Sequence, residues 1–239
     1  MLFSWSPLTN AQVSNASLLY FVGFVGNLPF LPKTVDSGFA PSLPFAILLN
    51  IAFIAIFGLQ HSFMARPEFK RWSSRFLEES MERSTYVILA SLLLFMLSWH
   101  WQPLPMAVWN ITNPPGYFIL RGLFWLGWGL AIFSSGLIDI LDLTGLRQVS
   151  AYLKGVPHAP PEFKIQSIYR YIRHPIMLGT LIGLWATPTM TAGHLLLSVG
   201  FSTYIFVGIV YEERDLAGII GEKYRDYQRT TKIIIPFVF

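Results

Sequence analysis

Residues 176–211 read IMLGTLIGLWATPTMTAGHLLLSVGFSTYIFVGIVY, a run of 36 residues without a single charged side chain. Pro188 and Gly193 lie near the middle of this run, where they favour a turn. At a rise of about 1.5 Å per residue each half reaches roughly 25 Å, slightly less than a hydrocarbon core of about 30 Å. The run therefore predicts a helical hairpin made of two short membrane spans.

Four further apolar runs, at about 12–32, 44–65, 84–101 and 118–138, are each long enough to cross a bilayer. With the hairpin they predict an all-α, polytopic membrane helix bundle of about six spans, with both termini on the same side. The composition agrees, because 53% of the residues are hydrophobic and only 13% are charged, against about 25% charged residues in soluble domains. A disordered chain is excluded, and a soluble enzyme is disfavoured.

The basic residues are concentrated in alternate connections between these runs. Fifteen of the 17 Lys and Arg residues fall in 66–83, 147–173 and 214–232, whereas the intervening connections hold only Lys33. The remaining basic residue, Arg121, lies near the outer end of the fourth span, from where its side chain can reach the membrane interface. The positive-inside rule then places the basic segments and both termini in the cytoplasm, as expected for the bacterial inner membrane. The net charge of +4 thus sets orientation and does not indicate a nucleic-acid partner.

Polar residues gather at both ends of the predicted hairpin. Residues 169–175, YRYIRHP, lead into its first arm, and residues 212–215, EERD, follow its second arm. Pro175 suits the first turn of a helix, and Gly179 permits the close approach of a ligand or of another helix. A binding site at the cytoplasmic face is one interpretation. A basic membrane anchor with local charge pairs on the helix surface is the other.

The tail after the hairpin also carries a helical pattern. Between Glu212 and Gln228, apolar and aromatic residues recur at three- and four-residue intervals, which predicts an amphipathic C-terminal helix lying back on the bundle. The cytoplasmic segments are too short to bury a soluble core of their own. We therefore expect one integral membrane domain over 1–239.

The remaining polar positions give weaker signals. Asp139 and Asp142 could bind a metal, but hard cations need more oxygen ligands, so polarity at a helix end is the preferred interpretation and no metal is expected. His61 at the inner end of the second span and Arg83 at the start of the third are candidates because ionisable groups at membrane depth are often functional. The chain has no cysteine, which excludes a cysteine nucleophile, and no Lys or Arg before Lys33, so a cleaved signal peptide is not indicated.

The C-terminal third contains three spaced patterns: Arg173-His174-Pro175-x-x-x-Gly179, Glu212-Glu213-x-x-Leu216 and Gly221-x-x-Tyr224-x-x-Tyr227. Together they resemble the signature of the isoprenylcysteine carboxyl methyltransferase and phospholipid methyltransferase superfamily, membrane enzymes that use S-adenosylmethionine. This resemblance covers about 148–229. Met177 departs from it, because the broader family usually carries Tyr two residues after the Pro.

Four more segments narrow the resemblance: QHSFMAR (60–66), ERSTY (82–86), DILDLTGLRQV (139–149) and WATPTMTAGHL (185–195). They are similar to the bacterial methanethiol S-methyltransferases, which make dimethyl sulfide, and the similarity spans nearly the whole chain. It extends to denitrification-associated membrane proteins of the same superfamily. The resemblance implies a small thiol substrate, a membrane-lipid environment and a cofactor-binding part at about 145–230.

Carried over by position, the resemblance also implies a set of site residues. Those expected at S-adenosylmethionine are Gln148, Tyr169, Arg173, His174, Gly179, Glu213, Arg214 and Tyr224. A base or a cation must help the thiol to ionise, because the thiolate is the nucleophile. We expect His61 as the base, or Arg83 and Arg66 as cationic stabilisers, with Arg173 as a further catalytic residue.

Three alternatives remain open at this point. The chain could methylate another substrate, such as a lipid amine or an isoprenyl thiol-linked carboxylate. It could be an NADPH-dependent membrane reductase, because some sterol reductases carry a similar Gly-x-x-Tyr-x-x-Tyr pattern. It could also be a scaffold or transporter subunit, which would predict a continuous polar pathway across the spans.

Overall fold

The computed structural model describes residues 7–77, 79–138, 146–156 and 163–234. Within these ranges the chain is mostly helical. The helices are α1 (Pro7–Val25), α2 (Leu43–Met64), α3 (Pro67–Ser73), α4 (Glu79–His100), α5 (Pro114–Ile138), α6 (Leu146–Leu153), α7 (Pro175–Trp185), α8 (Ala192–Ile220) and α9 (Glu222–Thr230). A short 3-10 helix, Ser167–Arg170, precedes α7, and two strands, β1 (Ala107–Asn110) and β2 (Thr189–Thr191), complete the set. Asp139 and Asp142, which the sequence offered as possible metal ligands, lie outside the described residues.

Among the described residues, four helices are long and apolar enough to cross a membrane: Leu43–Met64, Met81–His100, Pro114–Ile138 and Ala192–Ile220. They confirm four of the predicted apolar spans, and the protein is an integral membrane protein. Gln12–Val25 and Pro175–Trp185 are apolar but shorter. The count of six spans, and the side on which the termini lie, stay predictions.

The described chain divides into two compact units, and the single domain over 1–239 stays a prediction. The first unit takes in the described residues of 1–105 and 139–161. Here α4 packs against α1, α2 and α6. Asn50, fully buried in the middle of α2, donates to the Gln102 carbonyl at 2.8 Å and accepts from the Gln102 amide at 2.9 Å. These two hydrogen bonds satisfy a polar side chain whose burial in an apolar span would otherwise cost free energy.

The second unit takes in the described residues of 106–138 and 162–239. Its closest helix contact joins α5 and α7, where small residues let the two backbones approach. A Cβ atom added at Gly179 would lie 2.5 Å from the Gly127 carbonyl oxygen, and one added at Gly127 would lie 2.7 Å from the Gly179 carbonyl oxygen. The sequence suggested that Gly179 permits the close approach of a ligand or of another helix. In the structure it is a helix, α5, that approaches it.

The hairpin turn holds a structure that the prediction of an all-α fold missed. After α7 ends, β2 pairs antiparallel with β1, and Trp109 faces Met190 across the ladder. The Trp109 indole N–H also donates to the Thr187 carbonyl at 3.0 Å. The pairing gives hydrogen-bond partners to backbone groups in the turn that cannot join a helix. The chain is therefore mostly helical with a small two-stranded sheet, and not all-α.

The C-terminal region differs from the predicted single helix over 212–228. Helix α8 runs through the 212–215 segment to Ile220, and α9 starts at Glu222. Gly221 separates them with φ of +75°, a value that glycine adopts without steric strain. The break lets α9 bury Tyr224 and Tyr227, and hence form an amphipathic C-terminal helix shorter than predicted.

Candidate active site

The segment before α7 is held by the C-terminal end of the described chain. Ile172 forms a parallel bridge with Lys232. The Arg173 amide donates to the Lys232 carbonyl at 2.8 Å, and the His174 amide donates to the Ile233 carbonyl at 3.0 Å. Pro175 then starts α7, where its missing N–H leaves no bond unmade. These backbone bonds fix Arg173 and His174 at the entrance to α7.

The Glu213 carboxylate is the centre of the polar cluster in the second unit. Arg173 binds it in bidentate fashion, with Nε to Oε1 at 2.9 Å and Nη2 to Oε2 at 2.9 Å. His174 Nε2 lies 2.7 Å from Oε1, and the Tyr224 hydroxyl donates to the same oxygen at 2.9 Å. Gln228 Nε2 donates to Oε2 at 2.7 Å. Five hydrogen bonds from four side chains thus meet on one carboxylate.

The arginine of this cluster also binds the backbone that follows α9. Arg173 Nη1 donates to the Gln228 carbonyl at 3.0 Å and to the Thr231 carbonyl. The Arg173 side chain is only 7% exposed, and that of Glu213 is 12% exposed. A buried ion pair is stable only when further hydrogen bonds satisfy both partners, and here they do. The pair therefore joins the start of α7, the end of α8 and α9.

The tautomer of His174 follows from its neighbour. Because a carboxylate can only accept hydrogen bonds, His174 Nε2 must carry the proton that it shares with Glu213 Oε1. The other nitrogen, Nδ1, lies 3.7 Å from Glu212 Oε2, and the Glu212 side chain is 47% exposed. Glu213 is thus enclosed by donors, whereas the Glu212 carboxylate is exposed.

Three tyrosines surround the cluster as neutral hydrogen-bond donors. Burial, followed by the negative charge of Glu213, raises the pKa of Tyr224 far above its ordinary value. Burial raises the pKa of Tyr227 to about 12, and its hydroxyl donates to the Tyr169 carbonyl. Burial, followed by the nearby Tyr227, likewise raises the pKa of Tyr169, whose hydroxyl donates to the Ser134 carbonyl at 3.2 Å. All three hydroxyls stay protonated at neutral pH.

The structure brings together four of the predicted cofactor residues, Arg173, His174, Glu213 and Tyr224. Tyr169 is connected to them through Tyr227. Arg214 is exposed, and its guanidinium carbon lies 6.0 Å from the centre of the Tyr211 ring. Gly179 contacts α5, and Gln148 lies in α6 of the first unit.

A second cluster lies in the first unit, where α2 packs against α4. His61 Nε2 is 2.7 Å from the Tyr86 hydroxyl oxygen, and the two rings are 5.1 Å apart. The guanidinium carbon of Arg83 lies 5.4 Å from the centre of the Tyr86 ring. Arg66 occupies the position before α3, where its carbonyl accepts from the Lys70 amide at 3.1 Å.

Sequence reasoning missed two residues with central positions, Gln228 and Tyr86. Gln228 lies four residues after Tyr224, so both side chains share one face of α9, and that spacing is a usable signal. Tyr86 likewise lies three residues after Arg83, so these two side chains share one face of α4. Its pairing with His61 joins residues 25 positions apart in the chain, and no local pattern reveals such a contact.

Comparisons with known proteins show the family to which the chain belongs. The family model described as NnrU protein matches residues 49–237. Methanethiol S-methyltransferase of Mycobacterium tuberculosis is 44% identical over 218 residues, which cover 91% of this chain and 89% of the relative. Methanethiol S-methyltransferase 2 of Bradyrhizobium diazoefficiens is 45% identical over 223 residues, covering 93% and 85%. Methanethiol S-methyltransferase of Crocosphaera subtropica is 44% identical over 220 residues, covering 92% and 86%. The chain therefore belongs to the NnrU protein family and to the methanethiol S-methyltransferases.

Proposed function

We propose that this protein transfers a methyl group from S-adenosylmethionine to methanethiol and so forms dimethyl sulfide. The observation that carries the proposal is the identity of 44% over 91% of the chain with a methanethiol S-methyltransferase. Such similarity along nearly the full length of both chains supports the same reaction. The exposed carboxylate of Glu212, next to the ordered Glu213 cluster, adds support, because it can accept hydrogen bonds from a nucleoside cofactor.

The residues present suit S-adenosylmethionine, with one change to the expected roles. The half-exposed carboxylate of Glu212 can accept hydrogen bonds from ribose hydroxyls or from the amino group. The exposed guanidinium of Arg214 can bind the carboxylate of the cofactor. Glu213 already accepts five hydrogen bonds, so we assign it to positioning His174 and Tyr224. Arg173 holds Glu213 in place and acts in the same indirect way.

When bound, the cofactor supplies an electrophilic methyl group on a positively charged sulfur. The protein must then provide a thiolate in line with that methyl group, because the thiolate and not the thiol is the nucleophile. We assign thiol deprotonation to His61 and stabilisation of the thiolate to Arg83 and Arg66. Opposite charges disappear as the new bond forms, so a dry site at membrane level favours the reaction.

The orientation of the protein is part of the same proposal. We infer six spans in the bacterial inner membrane, with α1 and α7 as the two short ones and with both termini in the cytoplasm. The basic residues of 66–83, 147–173 and 214–232 then face the cytoplasm, as the positive-inside rule requires. S-Adenosylmethionine is a soluble cytoplasmic metabolite, and in this account the Glu213 cluster lies at the cytoplasmic end of the spans.

Purified protein in detergent tests the proposal. We expect dimethyl sulfide in the headspace after incubation with S-adenosylmethionine and methanethiol, and we expect calorimetry to detect binding of S-adenosylhomocysteine. Tight NADPH binding without S-adenosylhomocysteine binding would contradict the methyltransferase proposal and favour a reductase. If the protein binds S-adenosylhomocysteine but forms no dimethyl sulfide, the cofactor assignment stands and the substrate is another thiol, an amine or a carboxylate.

A further inference from the structure

A row of aromatic side chains leads from the end of α2 along α3 and into the turn that follows. The ring centres of Phe63 and Phe69 are 5.1 Å apart. The distance is 5.5 Å from Phe69 to Trp72 and again from Trp72 to Phe76. The exposed fractions of Phe63, Trp72 and Phe76 are 63%, 55% and 74%. A contiguous exposed surface of four rings marks contact with a membrane or with another protein.

This aromatic row continues the lipid-facing side of a membrane span. Phe63 lies in the last turn of α2, a helix long and apolar enough to cross a membrane. Ile56 and Leu59 are exposed and share a face with Phe63, because residues three and four positions apart lie on one side of a helix. Since Phe69 packs against Phe63, the row extends this face beyond the end of the span. That is the depth at which Trp side chains are enriched in membrane proteins.

The other sides of α3 carry its charged groups. Lys70 Nζ lies 3.9 Å from Glu82 Oε1 in α4, so one side of α3 faces its own unit. Arg71 and Arg75 are exposed and lie four residues apart, on a different side. Arg71 pairs with Glu68 at 3.3 Å, but both side chains are exposed, and a surface pair of this kind contributes little. Arg71 can therefore exchange this partner for another anion.

The arginines lie beside the aromatic row along the helix. Arg71 directly precedes Trp72, and Arg75 directly precedes Phe76, so each is about 100° around the helix from its aromatic neighbour. Residues 66–77 hold four basic residues and one acidic residue. Aromatic residues on one side and excess positive charge on another are typical of a helix that lies in the membrane interface. In that position the rings meet acyl chains, and the guanidinium groups lie at the depth of the lipid phosphates.

We propose that α3 and the turn after it lie in the membrane interface, where Arg71 and Arg75 bind the headgroup of an anionic phospholipid. The charge decides the lipid class. A zwitterionic headgroup carries its own ammonium group, which competes with the arginines for the phosphate, whereas an anionic headgroup has no such competitor. Arginine suits this ligand because its planar guanidinium binds phosphate in bidentate fashion. Each basic residue near an anionic membrane surface strengthens binding by about fivefold.

Trp72 reports on both parts of the proposal. The full chain is reconstituted into vesicles of equal parts phosphatidylcholine and phosphatidylglycerol, with bromine on the acyl chains of one lipid or the other. Bromine quenches tryptophan on contact, and Trp72→Phe, which keeps an aromatic ring, gives the signal of the remaining tryptophans. The difference from wild type therefore isolates Trp72. We expect brominated lipid to quench it, with an association constant about fivefold or more in favour of phosphatidylglycerol.

A double variant locates the headgroup site. Arg71→Gln with Arg75→Gln should reduce the preference at Trp72 to about onefold. The matched control, Arg225→Gln with Arg229→Gln, removes as many charges from α9, where both arginines already pair with Glu222, at 3.5 Å and 3.2 Å. We expect this control to keep the preference. If the preference survives the loss of Arg71 and Arg75, these residues do not bind the lipid.

Salt tests the same binding without replacing either arginine. At about 1 M salt the Debye length falls to about 3 Å, so the preference at Trp72 should weaken while its quenching by brominated lipid persists. Equal association with the two lipids at low salt would overturn headgroup binding. Quenching of Trp72 by water-soluble acrylamide but not by brominated lipid would overturn the interfacial position and leave the row to a soluble protein partner. Neither methanethiol nor S-adenosylmethionine takes part, so a chain that forms no dimethyl sulfide contradicts only the proposed function.

Discussion

The Glu213 carboxylate receives hydrogen bonds from Arg173, His174, Tyr224 and Gln228. Replacing it with the neutral amide, Glu213→Gln, leaves the Arg173 guanidinium buried without its counter-ion. Breaking a buried ion pair on one side destabilises a fold by about 3–5 kcal/mol. We expect a lower midpoint of thermal unfolding in detergent and weaker S-adenosylhomocysteine binding by calorimetry.

Glu222→Gln is the control for this prediction. Glu222 is exposed and pairs with Arg225 at 3.5 Å on the surface of α9, so its loss should change the free energy of unfolding by less than about 1 kcal/mol. If the two variants unfold at the same temperature, the Glu213 cluster does not hold the C-terminal elements together.

Tyr227 gives a prediction about alkaline pH. Burial raises the pKa of its hydroxyl to about 12, above the ordinary value of about 10. The stability that the protonated hydroxyl contributes is therefore fully present below pH 10 and is lost as the pH rises through 12. At pH 7, Tyr227→Phe should lower the free energy of unfolding by about 0.5–1.5 kcal/mol through its lost hydrogen bond.

The difference in stability between wild type and Tyr227→Phe should then narrow between pH 10 and pH 12, because only the wild type loses this hydroxyl proton. Chemical denaturation of both proteins across that range measures it. A difference that stays constant with pH would show that the fold does not hold the hydroxyl in its neutral form.

At the scale of elements, the contact between α5 and α7 depends on glycine at defined positions. A Cβ atom at Gly127 would lie 2.7 Å from the Gly179 carbonyl oxygen, whereas one at Gly129 would meet nothing within 4 Å. We expect Gly127→Ala to force the helices apart and to lower the unfolding temperature. Gly129→Ala, in the same helix, should leave it unchanged or raise it, because alanine favours a helix by about 1 kcal/mol over glycine. Equal effects of the two changes would contradict the close packing.

Sequence patterns predicted elements well where the signal was local. Long apolar runs predicted the four membrane-crossing helices. The resemblance to the membrane methyltransferases implied Arg173, His174, Glu213 and Tyr224, and the structure brings these four residues together. The pairing of β1 with β2 was missed, because it joins three- to four-residue segments about 80 positions apart. The end of α8 was missed because the helical spacing of apolar residues continues across Gly221, and only the positive φ there breaks the helix.

At the scale of the whole molecule, the orientation in the membrane can be tested cleanly because the chain has no cysteine. Phe39, 85% exposed in the connection between α1 and α2, should face the periplasm, and Arg229 in α9 should face the cytoplasm. In intact cells a membrane-impermeant maleimide should label Phe39→Cys and should leave Arg229→Cys unlabelled until the membrane is permeabilised. The reverse pattern, or labelling of both sites from outside, would contradict six spans with cytoplasmic termini.

The central claim is that the whole chain is a thiol methyltransferase. In the most direct test, purified protein is incubated with methanethiol and with S-adenosylmethionine that carries a trideuterated methyl group. The mass of the headspace product is then determined by mass spectrometry. Our account predicts dimethyl sulfide with one trideuterated methyl group in each molecule, formed in step with S-adenosylhomocysteine. Folded protein that produces no labelled dimethyl sulfide under these conditions would contradict it.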